Sequence, residues 1–96
     1  MDDAAVVFRQ LFIADALLGG AIWRTVKRRQ EQKPFFWLAV DTFGSLYAYQ
    51  TEPFWIENFA WWSSGTSSTY IANVCHLLSA DQKEKYNQLH VRIETI

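Results

Sequence analysis

The sequence predicts an α+β domain: an N-terminal helix packed on an antiparallel sheet of about four or five strands, with a short helix before the last strand. Three patterns carry this expectation. Apolar residues recur at three- and four-residue steps from Val7 to Leu18, six apolar residues run without interruption from Phe35 to Val40, and Val91 to Glu94 alternates apolar with charged. These are the signatures of an amphipathic helix, a strand covered on both faces and a half-exposed strand. With 96 residues the chain is a single domain, 1–96, of which about 60 to 65% of the unfolded surface becomes buried. Half the residues are apolar and 20% are charged, so the chain has the material for a core.

The first helix is expected over residues 3–18. Val7, Phe8, Leu11, Phe12 and Leu18 form its stripe, and Asp2 and Asp3 favour the positive end of its dipole. Gly19-Gly20 supplies the stop. Residues 21–28 read as a strand, because Ile22, Trp23, Thr25 and Val26 favour extended backbone; a second helix is the alternative. Arg29 to Lys33 is polar and ends at Pro34, which makes it a turn or loop. Residues 35–50 read as a hairpin, with Asp41-Thr42-Phe43-Gly44 as its tight turn and Leu46 to Tyr49 as the returning strand. The N-terminal helix is one cover for the Phe35–Val40 strand, and a partner or second copy is the expected cover for its other face.

Thr51-Glu52-Pro53 turns the chain into a strand over 54–62, with Phe54, Ile56, Ala60 and Trp62 on one face and Trp55, Phe59 and Trp61 on the other. Ser63 to Ser68 is a polar connection. Residues 69–78 fit either period, and a strand over 69–75 is preferred because the 62–70 loop then closes a second hairpin. Ser79-Ala80-Asp81-Gln82 has the pattern of a capping box opening a short helix to about Leu89. His90 to Ile96 closes the domain as an edge or half-exposed strand.

Charge and cysteine content exclude whole classes. Nine Lys and Arg against ten Asp and Glu give a net charge of −1, unlike a dedicated nucleic-acid binder. The single cysteine, Cys75, excludes an intramolecular disulfide scaffold and fits a reducing cytoplasm. Met1-Asp2-Asp3 lacks the basic start of an export signal. The Ala4–Trp23 stretch has the length of a membrane span but contains Arg9, Gln10 and Asp15, each costly in hydrocarbon, so no membrane is expected.

Catalytic and metal patterns are missing as well. Cys75 and His76 are adjacent, which in an extended chain puts them on opposite faces, unable to act as nucleophile and base. His76, His90 and Cys75 leave a tetrahedral metal site short of ligands. Glu52 and Glu57 read as solubilising carboxylates, and the Ser63–Ser68 segment lacks the lysine and spacing of a phosphate loop. The expectation is a non-enzymatic protein with no cofactor and no metal.

Two clusters carry the functional reading. Arg24, Lys27, Arg28, Arg29 and Lys33 face only Glu31, a local charge of about +4. Eleven of the 16 aromatic residues fall between Phe35 and Trp62. Such rings serve as core, as a protein interface or as a sugar platform. Two strands apolar on both faces exceed what one helix covers, and Trp and Tyr are characteristic interface anchors, which favours the interface. Trp55, Trp61, Trp62 and Tyr49 are the expected contacts, with Arg28 and Arg29 as rim charges. The alternative is a nucleic-acid- or carbohydrate-binding module that uses the basic 24–33 segment and exposed Trp and Tyr rings.

The order Trp37, Asp41, Gly44, Tyr47, Tyr49, Pro53, Trp61-Trp62, Tyr70 and Val91-Arg92-Ile93 resembles small uncharacterised α+β proteins encoded by phages, prophages and mobile elements, over residues 35–96. This resemblance implies no active-site residue. It implies binding to a protein partner, either a second copy or a host enzyme or defence complex that is thereby blocked.

Overall fold

In the computed structural model, which describes residues 3–95, the first element is helix α1, Asp3–Leu17. Ala4, Phe8, Leu11 and Asp15 follow one another on a single helical face, and all four are buried. Asp3 lies in the first turn, whereas the cap expected at Asp2 falls outside the described residues. Leu18, assigned to the buried stripe by its spacing, is instead exposed, as is Leu17. Gly19 and Gly20 end the helix at φ 108° and 73°, a left-handed backbone that a Cβ opposes.

Residues 21–28 are not a strand, and 29–32 are not a loop: Ala21–Gln32 forms a second helix, α2. The reason lies eight residues upstream. The Asp15 carboxylate accepts the amides of Ile22 at 3.2 Å and Trp23 at 2.9 Å. An acid buried on α1 thereby supplies the N-terminal cap that Gly20 lacks, and its charge suits the positive end of the α2 dipole. Val26 is buried, Ile22 and Trp23 pack against the core, and the Phe12 and Trp23 rings meet edge to face at 4.7 Å. The β-favouring residues therefore fall on the covered side of a helix, where tertiary packing outweighs local propensity.

Four strands form the main sheet: β1 (Trp37–Val40), β2 (Ser45–Tyr49), β5 (Ser68–Asn73) and β6 (His90–Arg92), in the order β5-β2-β1-β6, antiparallel throughout. The expected β1–β2 hairpin is present, with Trp37 opposite Tyr49 and Val40 opposite Leu46. One Asp41 carboxylate oxygen accepts the amides of Phe43 and Ser45 at 2.9 and 3.0 Å and holds the turn. Gly44 has φ 79°, and a Cβ there would lie 2.7 Å from that of Cys75.

The expected 54–62 strand is broken in two. β3 (Phe54–Ile56) and β4 (Trp61–Ser63) pair with each other in a separate two-stranded ribbon. A four-residue connection, 57–60, reverses the chain, and Ala60 takes φ 54° where no glycine announced a turn. The second hairpin expected across the 62–70 loop does not form; β5 pairs with β2 through a bulge at Leu46/Tyr47. After a 3-10 turn at Cys75–Leu77, the capping box is made as expected. Ser79 Oγ accepts the Gln82 amide, and Gln82 accepts that of Ser79, opening the short helix α3, Ala80–Lys83. A 3-10 turn at Tyr86–Gln88 leads into β6, and Ile93–Thr95 is again 3-10, so the last strand is shorter than the expected 90–96, of which Ile96 lies outside the described residues.

Strand alternation sorts the core into two layers. Leu38, Val40, Leu46, Ala48 and Val91 face α1 and α2, where they pack with Phe8, Leu11 and Val26. Trp37, Ala39, Tyr47 and Tyr49 face the other way and meet Trp55 and Trp62 of the β3–β4 ribbon. Both faces of β1 are covered, as the unbroken apolar run implied. The second cover is not another molecule but the chain's own ribbon.

Candidate functional site

The ribbon carries three exposed rings close together, Phe54, Phe59 and Trp61, while Phe36 and Phe43 are exposed outside it. In an antiparallel pair, directly opposed residues share a face. Trp55 opposite Trp62 puts both rings on the inner face, edge to face at 5.4 Å, while Ile56 opposite Trp61, together with Phe54 opposite Ser63, makes the outer face. On that outer side the Phe59 ring, carried by the 57–60 connection, stacks on Trp61 at 4.9 Å and 13°. Phe59 is 60% exposed and Trp61 45% exposed. Phe54 is exposed as well, and so is Tyr70 on the neighbouring edge strand β5, its ring edge to face with Tyr47 at 5.5 Å.

The four rings expected as contacts thus divide. Trp61 stands on the outer face. Trp55 is partly buried beneath the ribbon, and Trp62 and Tyr49, 7% and 4% exposed, are interior side chains. Trp62 is fastened on both sides: its indole N–H donates to the carbonyls of Val40 at 2.9 Å and Tyr86 at 3.2 Å. The Tyr49 hydroxyl donates to the Trp62 carbonyl at 3.4 Å, and burial, with the neighbouring Tyr47 and Asp41, pushes its phenol well above the ordinary range. Arg28 and Arg29 are exposed on α2, which packs on the opposite face of the sheet. They do not border the exposed rings of the ribbon, so the basic segment and those rings form two surfaces rather than one.

A cleft of about 190 Å³ opens between the ribbon and the sheet, lined by Asp41, Tyr47, Tyr49, Trp61, Trp62 and Ser68. Its walls combine a carboxylate, phenol and hydroxyl oxygens and indole faces. The flanking loop is tied to itself: Ser64 Oγ accepts the Thr66 amide at 3.2 Å and also donates to the Thr66 carbonyl.

His90 opens strand β6. Its ring lies at the side of this site, 5.6 Å from Trp37 in a stacked arrangement and 4.6 Å from Trp62. Nε2 faces Glu52 Oε1 at 3.4 Å, and Nδ1 is buried with no hydrogen-bond partner. The pairing of His90 with Ala39 places it on the ribbon side of the sheet. No spacing rule connects Glu52, Trp62 and His90 along the chain. Cys75 is partly buried beside Tyr86, whose phenol burial raises, with Cys75 contributing. Among the described residues no group of three His, Cys, Asp or Glu side chains is placed to hold a metal ion.

No family model, no curated protein and no solved structure matches this chain.

Proposed function

We propose that this chain is a protein-interaction domain that binds its partner through the outer face of the β3–β4 ribbon. The observation that carries the reading is the stacked, solvent-facing Phe59–Trp61 pair on a ribbon whose other face is already committed to the core. A ring pair held rigid by stacking loses little conformational freedom on binding, and Trp is the side chain most enriched among residues that dominate association energies. Phe54 and Ile56 extend the same face, and Glu57 and Asn58 at the tip provide a polar rim. The partner is a protein: a second copy, or a host enzyme or defence complex of the kind that small phage-encoded proteins block, the class residues 35–96 resemble.

The test compares tagged wild type with Phe59→Ser/Trp61→Ser in cells that produce it. A protein retained in constant ratio by the wild type and lost by the variant, at unchanged melting temperature, supports the proposal. Equal retention by both overturns it.

The cleft favours a second reading, a carbohydrate site, because a carboxylate, hydroxyls and an indole wall are the groups that hold a sugar ring. Tryptophan fluorescence that saturates with an oligosaccharide and loses that response in Trp61→Ala would replace the first reading with this one.

A further inference from the structure

On the other side of the molecule, α1 and α2 meet at a bend of 113°. The corner carries the most exposed aliphatic side chains among the described residues, Leu17 at 84% and Leu18 at 70%, with Ile13 one turn before them. Beside them lies an apolar cleft of about 350 Å³ lined by Arg9, Phe12, Ile13, Ala16, Gly20 and Trp23. Ile13, Leu17 and Leu18 thus form a contiguous apolar projection beside an apolar cleft rather than scattered surface residues.

The charge on the two helices is mainly positive: apart from Asp15 their acidic residues are Asp3 and Glu31, at the ends away from the corner. Between Ala4 and Gln30 the sole acidic residue is Asp15, buried and committed by both oxygens to the α2 amides. Arg9 lines the cleft, Arg24 donates to the Gly19 carbonyl, and the Lys27 ammonium sits 5.6 Å over the Trp23 ring. Arg28 and Arg29 follow on the same helix, all in a chain whose net charge is −1.

We infer that this corner docks on an anionic lipid surface, with Leu17, Leu18 and Ile13 entering the headgroup boundary and the surrounding cations meeting the lipid charge. Three features select this occupant. A second copy docked corner to corner would set these cations against one another. A nucleic acid would satisfy the cations but leave the leucines in water. A helix corner that projects, flanked by Trp23 and by Lys and Arg, has the composition of elements that lie in the interfacial plane. No single described helix is long and apolar enough to cross a membrane, so the contact is peripheral.

Co-sedimentation with phosphatidylcholine vesicles, with and without about 30% phosphatidylserine, tests the inference. The expected result is binding that needs the anionic lipid and weakens as salt shortens the screening length from about 10 Å at 0.1 M to about 3 Å at 1 M. Leu17→Asp/Leu18→Asp should reduce binding to background at unchanged melting temperature, since both side chains are in solvent. Lys27→Ser/Arg28→Ser should weaken it by about fivefold per charge removed. Failure to bind either vesicle at low salt, equal binding to both, or a leucine variant that binds like the wild type overturns it. So does salt-sensitive retention of a single-stranded oligonucleotide without vesicle binding. Phe59→Ser/Trp61→Ser, on the far side of the sheet, should leave vesicle binding unchanged.

Discussion

The two faces of the central sheet are covered by different chemistry. Under α1 and α2 the contacts are mainly aliphatic, and Phe8, Leu11, Val26, Leu38, Val40, Leu46, Val74 and Val91 are nearly inaccessible to solvent. Under the β3–β4 ribbon the layer is thin and built of rings, with Ala39, Tyr49 and Trp62 as its buried members. There the polar atoms of large rings reach backbone carbonyls, as Trp62 and Tyr49 do. The helix side closes by shape, the ribbon side by rings tied down at their edges. A two-stranded ribbon of three residues per strand is marginal alone, so it depends on its anchored inner rings, and its outer face is only partly covered.

The largest effect should come from the helix side. Leu38→Ala empties volume in the closed aliphatic layer and should lower stability by about 2 to 5 kcal/mol, read by denaturant unfolding. On the ribbon side, Trp62→Phe keeps a ring but strips the donor from two carbonyls, and about 1 to 3 kcal/mol should be lost. If Trp62→Phe cost more than Leu38→Ala, the ranking of the two layers would be reversed. Asp15→Ala removes the cap shared between the helices, an expected loss of about 0.5 to 2 kcal/mol with reduced helical ellipticity.

Alkaline titration sharpens the comparison further. Tyr49 and Tyr86 are held protonated in the folded state above the ordinary phenol value of 10.0, chiefly by burial. The unfolded chain releases these protons first, so the contribution is fully present below pH 10 and is lost as pH rises beyond it. Thermal melts should show this decline, and Tyr49→Phe should flatten it. The smallest effect on stability belongs to Phe59→Ser/Trp61→Ser, within about 0.5 kcal/mol per site, because neither ring closes the core.

What was legible in the sequence follows the range of the interactions responsible. The α+β class, the β1–β2 hairpin with its Asp41 turn, and the Ser79–Gln82 capping box depend on neighbours within a few residues, and all are present. Helix α2 was misread because its cap comes from Asp15, across a glycine turn, and no local pattern records that. The 54–62 strand was misread because Ala60 adopts a positive φ without being glycine. That one reversal changed the parity of the β4 rings: Trp62, expected beside Phe54 and Ile56, faces inward with Trp55, while those two share the outer face with Trp61. The Glu57-Asn58 pair, polar within an aromatic run, was the available signal for the turn. The concentration of rings was visible in the sequence, but which rings are interior depended on that turn, and the placement of His90 beside Trp62 depended on strand order.

The most direct test of the ribbon as a contact surface is site-specific photo-crosslinking in cells that produce the protein. A photoreactive amino acid replaces Phe59 in one sample and Glu31, exposed on α2 on the opposite face of the sheet, in the other. The expected result is a discrete protein adduct from position 59, absent at position 31 and lost when Trp61→Ser is added. No adduct at 59, or the same adducts at both positions, would contradict the account.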